Sequence, residues 1–191
     1  MQLKDNDLNL LKKIFYKQTT KTLSDSESGS KKLSYTTGVD AKLFPMIRDI
    51  LARYMDLDGS KIFKSFLLES FQPWTIHTDY DDSVDPTIAV LIPFVTANTY
   101  TIIFDQECLC NFDNFIRDNQ PIDDPATLAE ADNLLSHVDS NGLRYLTIKE
   151  RAPWVEGKPI IWDLKALHSS DNFKQSNVES KSAAVIWFTK A

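Results

Sequence analysis

Histidine is scarce in this chain. Three occur in 191 residues, at positions 77, 137 and 168, so any site built on imidazole must draw on those three. Cysteine is scarcer still: Cys108 and Cys110, one residue apart. That spacing does not suit the multi-bridge framework of a small secreted domain, and no further thiol or neighbouring His completes a tetrahedral zinc site. Both cysteines are expected to pack at a strand edge, in a reducing cytoplasm. No apolar run approaches the roughly 18 residues that a membrane span needs. The first residues, Met1 to Asp5, lack the apolar stretch of a signal peptide, so no membrane partner is expected. Basic residues are outnumbered, 21 Lys and Arg against 27 Asp and Glu, for a net charge of −6. That balance argues against a broad electrostatic grip on nucleic acid. No internal repeat is visible.

What is present suits one domain spanning 1–191. Hydrophobic residues make up 42% and aromatics 11%, enough for a sizeable core. Residues 4–18 mix Leu8, Leu10, Leu11, Ile14 and Phe15 with lysines and read as a short amphipathic helix. Residues 19–34 are nearly free of apolar side chains and read as a mobile loop. A second helix is expected over 40–55, capped by Asp40, with Pro45 moving its true start towards Phe44. From Lys61 the period changes. Strands are expected leading into residues 71–80, then over 87–94 and 99–104, and again over 143–148, 159–164 and 183–188. An acidic loop lies at 81–86, and a short helix over 125–137. Residues 1–60 form a helical flank, and about 105–158 an insertion between strands. The order suggests a mainly β sandwich or barrel with helices at its side.

The chemistry concentrates where the aromatic run from Phe71 ends in His77-Thr78-Asp79. On an extended strand, side chains two apart share a face. An imidazole and a carboxylate so placed suit a divalent metal of borderline hardness, and a second His completes the facial triad of non-heme iron oxygenases. His168, in Ala166-Leu167-His168-Ser169-Ser170, stands at the end of an expected strand. A cation, Lys181, opens the last strand and is placed to pair with the far carboxylate of an acidic cosubstrate. A second His-x-Asp pair, His137-Val138-Asp139, competes for the ligand role. It leaves too few residues before His168 for the strands a sandwich needs, and it follows a helix-like stretch, where a His at the C-terminus is favoured by the dipole. The four tryptophans read as core.

His77-x-Asp79, then His168, then a basic residue opening a Val/Ile-aromatic strand resembles the iron(II)/2-oxoglutarate-dependent dioxygenases, most of all their prolyl-4-hydroxylase-like branch. The resemblance runs from about Phe71 to Phe188. It implies a double-stranded β-helix (jelly roll) over 61–191 with N-terminal helices, iron held by His77, Asp79 and His168, and 2-oxoglutarate anchored by Lys181. Thr101 falls where the family has a residue lining the cosubstrate. Lys181 stands where many members carry Arg, keeping the charge without the two-pronged fork. The implied activity is O2-dependent hydroxylation of a peptidyl residue or small metabolite, with release of succinate and CO2. The alternative is a jelly-roll binding module that keeps a metal without oxygenase chemistry.

Overall fold

The computed structural model describes residues 1–18, 22–24, 34–80 and 86–190, with backbone alone at 22–24, 34–35 and 86. Two antiparallel sheets face one another, and helices cover their outer faces. The larger sheet runs β1-β2-β3-β9-β4-β7 and the smaller β6-β5-β8. Their strands are β1 Thr22–Ser24, β2 Ser34–Gly38, β3 Ser60–Ser70, β4 Pro86–Pro93, β5 Tyr100–Glu107, β6 Ile148–Pro153, β7 Ile160–Asp163, β8 Ala166–Ser170 and β9 Lys181–Lys190. Helices α1 (Asp5–Tyr16) and α2 (Phe44–Leu51) lie on the large sheet. Helices α3 (Phe112–Asp118), α4 (Pro125–Leu134) and α5 (Ser140–Leu143) lie on the small one. The mainly β jelly roll with flanking helices is therefore present.

The strand period explains the layering. Along β9, Ala184, Ile186 and Phe188 face the first two helices, while Ala183, Val185 and Trp187 face the small sheet. In β4, Ile88, Val90 and Ile92 point one way and Ala89 and Leu91 the other. Both faces are covered, so these strands read as unbroken apolar runs rather than as alternation. On β5, Ile102 and Phe104 turn outward to α3–α5 and Ile103 turns inward. The same parity puts Lys181, two before Ala183, on the inner face of β9, and His168, two after Ala166, on the inner face of β8.

Several local expectations shift. Asp40 caps a 3-10 turn, Ala41–Leu43, and α2 proper starts at Phe44 with Pro45 in its first turn, because a proline's missing N–H costs nothing there. The helix expected over 125–137 stops at Leu134. Residues 143–148, expected as a strand, instead leave the short helix α5. Asp139 caps it by accepting from Asn141 N–H, and Leu143 and Leu146, three apart, both enter the core beneath α3–α5. The strand begins only at Ile148. It pairs with β5, so β6 lies inside the stretch read as an insertion. Residues 22–24, expected in a loop, pair with β2; the remainder of that loop and the acidic residues 81–85 lie outside the described residues. Cys108 and Cys110 are not free: a disulfide joins them, with Cα atoms 5.2 Å apart. One intervening residue suffices to bring both thiols together where the chain turns out of β5. The pairing removes the ground on which a reducing compartment was expected. No helix among the described residues is long and apolar enough to cross a membrane.

Candidate active site

His77 and His168 meet as a single antiparallel bridge. His77 N–H donates to the His168 carbonyl at 3.0 Å, and His168 N–H returns a bond of 2.9 Å. The pairing puts both imidazoles on the inner face, and Asp79, two residues past His77, joins them. One ligand atom from each of the three residues lies within 4.8 Å of the other two. His168 Nε2 is 3.5 Å from one carboxylate oxygen of Asp79, and His77 Nε2 is 3.9 Å from the other.

The tautomers are fixed by the backbone. His77 Nδ1 donates to the Thr75 carbonyl at 2.8 Å, and His168 Nδ1 to the Ala166 carbonyl at 3.1 Å. A carbonyl only accepts, so each Nδ1 carries a proton, and each Nε2 is the ring nitrogen turned towards Asp79. Burial holds the His168 pKa down at about 4, with His77 acting in the same direction and Asp79 against it. The ring is thus a neutral ligand at physiological pH. Trp162 Nε1–H donates to Asp79 Oδ2 at 3.2 Å, orienting the carboxylate. Two imidazoles and one oriented carboxylate, each with an outer hydrogen-bond partner, are a donor set that fits a divalent transition metal such as iron(II).

Behind the triad lies a cavity of about 210 Å³. His77, Asp79 and His168 line it, as do Lys181, Thr101, Trp154 and Trp162. Lys181 is only 3% exposed. Its ammonium donates to Thr99 Oγ1 at 3.3 Å and lies over the rings of Trp154 (4.2 Å) and Phe173 (4.8 Å). Thr99 in turn donates to Asp171. Burial pushes the Lys181 pKa down to about 7, partly opposed by Asp171. Burial also raises the Asp171 carboxyl, opposed first by its bond from Thr99 and then by Lys181. Thr101 faces the cavity, and its hydroxyl accepts the Trp154 indole N–H at 3.0 Å.

On the other side of His77 a larger cleft, about 1130 Å³, opens between residues 75–80 and the segment carrying α3 and α5. Phe112, Asp139, Arg144 and Tyr145 are among its walls. His77 borders both spaces.

His77, Asp79, His168, Lys181 and Thr101 all line the inner cavity. His137 and Asp139 do not join the ligand group. His137 Nε2 is occupied by the Trp74 carbonyl at 2.9 Å, and Asp139 caps α5. Sequence reading missed Thr99 and Asp171, which surround Lys181, and took Trp154 and Trp162 as core alone. Both indoles are buried, but each also directs an N–H at a site residue. A buried Trp needs an acceptor for that N–H, and this was the one signal in the sequence that could have drawn attention to them.

No family model matches the sequence, and no curated protein does. The solved structures are more informative. The non-heme alpha ketoglutarate dependent epimerase SnoN from nogalamycin biosynthesis, in complex with Fe3+, alpha ketoglutarate and nogalamycin RO, is similar over 99% of this chain and 76% of its own, with a TM-score of 0.57 and 12% identity. A Pseudomonas putida prolyl-4-hydroxylase is similar over 99% of this chain and 89% of its own, with a TM-score of 0.53 and 8% identity. An oxidoreductase of the 2OG-Fe(II) oxygenase family from Burkholderia pseudomallei covers 98% of this chain and 80% of its own, with a TM-score of 0.53 and 8% identity. The fold is that of the 2-oxoglutarate–iron(II) oxygenases. Within it, β8 carries His168 on the small sheet and β9 carries Lys181 on the large one, so the cavity is the space between the two sheets at the end where both strands place polar residues.

Proposed function

We propose that this protein is an iron(II)- and 2-oxoglutarate-dependent oxygenase that hydroxylates a small molecule or a peptidyl residue. The observation that carries the reading is the inner cavity, whose lining holds both a His-Asp-His group and a buried ammonium that donates to a neutral hydroxyl. An ammonium has three donors, and burying one without an anion is costly. A dicarboxylate whose far end reaches Lys181 while its oxo-acid end faces His77, Asp79 and His168 relieves that cost.

In this reading His77 and His168 hold iron through Nε2 and Asp79 through its carboxylate. The bound iron supplies O2 activation coupled to conversion of 2-oxoglutarate into succinate and CO2, and thereby oxidation of a substrate C–H bond. The chain's own residues set the geometry. Lys181 anchors the cosubstrate, Trp154 gives the ammonium an aromatic face, and Trp162 keeps Asp79 turned towards the imidazoles. Thr101 lines the cavity wall. The indoles of Trp154 and Trp162, with Leu91, give the space apolar walls. The substrate enters by the outer cleft, which reaches the metal group at His77. Hydroxylation, rather than epimerisation or ring closure on the same fold, and kinship to the prolyl-4-hydroxylase branch are part of the proposal.

The test is succinate formation from 2-oxoglutarate by purified protein supplied with iron(II) and O2. Formation that requires iron and is lost in His77→Ala supports the reading. Bound iron without succinate, across a panel of small-molecule and peptide substrates, points instead to a metal-binding jelly roll without oxygenase chemistry.

A further inference from the structure

The segment that carries His77 and Asp79 has little secondary structure of its own. Residues 71–80 contribute to no named strand, and the His77–His168 bridge pairs them with β8. Their backbone must be satisfied by side chains instead, and Trp74 is where those converge. Its N–H donates to Ser170 Oγ at 2.8 Å, and its carbonyl accepts from Ser169 Oγ at 2.7 Å and His137 Nε2 at 2.9 Å. The indole N–H donates to Ser70 Oγ at 3.2 Å, and the indole ring lies 5.6 Å from that of His77. The Trp74 peptide therefore governs where His77 stands.

Ser169 and Ser170 adjoin His168, so two of the three grips come from the other metal-bearing strand. The third comes from the helical segment over the small sheet. Residues 134–137, at the end of α4, also hold the turn that follows β8. Asn172 N–H donates to the Leu134 carbonyl at 2.6 Å, Asn172 Nδ2 to Ser136 Oγ at 2.9 Å, and Gln175 Nε2 to Ser136 Oγ at 2.6 Å. Leu134, Ser136 and His137 thus brace the His77 segment on one side and the continuation of the His168 strand on the other. The His137 ring is committed to this bond. The carbonyl can only accept, so Nε2 carries the proton, and Nδ1 is left buried without a hydrogen-bond partner. A buried, unpaired nitrogen is a cost that an apolar side chain at this position would avoid.

We propose that His137 is a positioning residue: by holding the Trp74 carbonyl it locks the His77–Asp79 segment in register with His168, so that the wall of the outer cleft and the metal group form one rigid unit. The inference rests on the reading of His77, Asp79 and His168 as metal ligands.

Two variants separate the hydrogen bond from the ring. In His137→Gln the side-chain amide N–H reaches about as far as Nε2; His137→Phe keeps a ring and removes the donor. The readouts are anaerobic Co(II) affinity, followed by visible absorption, and amide hydrogen exchange of residues 71–80 in metal-free protein. His137→Phe is expected to bind Co(II) about tenfold more weakly, with faster exchange at 71–80 and unchanged exchange in β3 and β9. His137→Gln restores both. Ser136→Ala, at an exposed position, releases the brace at its other end and shifts Co(II) affinity in the same direction, so the idea stays testable if His137→Phe does not fold. Wild-type affinity and exchange in His137→Phe overturn the proposal, as does a His137→Gln variant as impaired as His137→Phe. Absence of His77-dependent Co(II) uptake by the wild type would instead sink the metal reading, and the exchange comparison would still decide whether His137 holds the segment.

Discussion

Replacing Lys181 by Met is expected to stabilise the metal-free protein while abolishing its hold on 2-oxoglutarate. The lysine is 3% exposed and meets one hydroxyl and two aromatic faces, with the Asp171 carboxyl beyond Thr99. Burial lowers its pKa from 10.5 to about 7. At about 1.36 kcal/mol per pKa unit, keeping this amine in the folded chain at neutral pH costs about 4 kcal/mol relative to an exposed lysine. Met has a similar length and no charge. Asp171, left without its cation, takes back part of the gain, so about 1–3 kcal/mol of net stabilisation is expected at pH 7. Between pH 7 and 10.5 the unfolded chain holds more protons at this position than the folded one. This group's contribution therefore makes wild-type stability rise across that window, and the advantage of the variant shrinks. Urea unfolding of both proteins at about pH 7 and about pH 9.5 measures this, and calorimetric titration with 2-oxoglutarate in the presence of Mn(II) measures the lost binding. A variant less stable than wild type at pH 7, or a stability difference that does not change with pH, would refute the reasoning.

Other outcomes follow from the same contacts. Asp79→Ala and His168→Ala should each lower Co(II) affinity by about 100-fold or more, read by anaerobic absorption titration, because each removes one of three ligands. Trp162→Phe should cost about tenfold in the same assay by freeing the Asp79 carboxylate from its indole donor. Tyr54→Phe removes the 2.5 Å bond to Asp7 Oδ2, whose other oxygen accepts from Arg53, and the acceptor of Lys4 N–H; a lower urea midpoint is expected. Phe188→Ala, fully buried between β9 and the N-terminal helices, should cost about 3–5 kcal/mol in that experiment.

The triad was legible because scarcity did much of the work. With three histidines, one next to a helix-like stretch, few ligand sets remained, and the His-x-Asp spacing survives folding as a shared face. Strand β9 and helix α1 were legible for the usual reason, a local period that matches the face they bury. What escaped depended on register between distant segments. Nothing near Thr99 or Asp171 in the sequence says that β5 and the turn after β8 bring them together under Lys181. The stretch 143–148 misled because Leu143 and Leu146 satisfy an apolar strand count as readily as one helical turn, and the cap at Asp139 decided it. His137 lies outside the His-Asp-His group, and its bond to Trp74 joins residues 63 apart, a link that local pattern does not carry. The Cys108–Cys110 pairing escaped for a similar reason: a disulfide depends on how one turn folds, which composition does not carry.

The central claim is that His77, Asp79 and His168 hold iron and that the adjoining cavity takes 2-oxoglutarate on Lys181. Anaerobic titration of the purified protein with iron(II) and then 2-oxoglutarate, watched for visible metal-to-ligand charge-transfer absorption, tests both halves at once. The account predicts a band that needs both additions, is absent in His77→Ala, and requires far more cosubstrate in Lys181→Met. Bound iron with no such band at saturating 2-oxoglutarate, or a band unaffected by loss of His77, would contradict it.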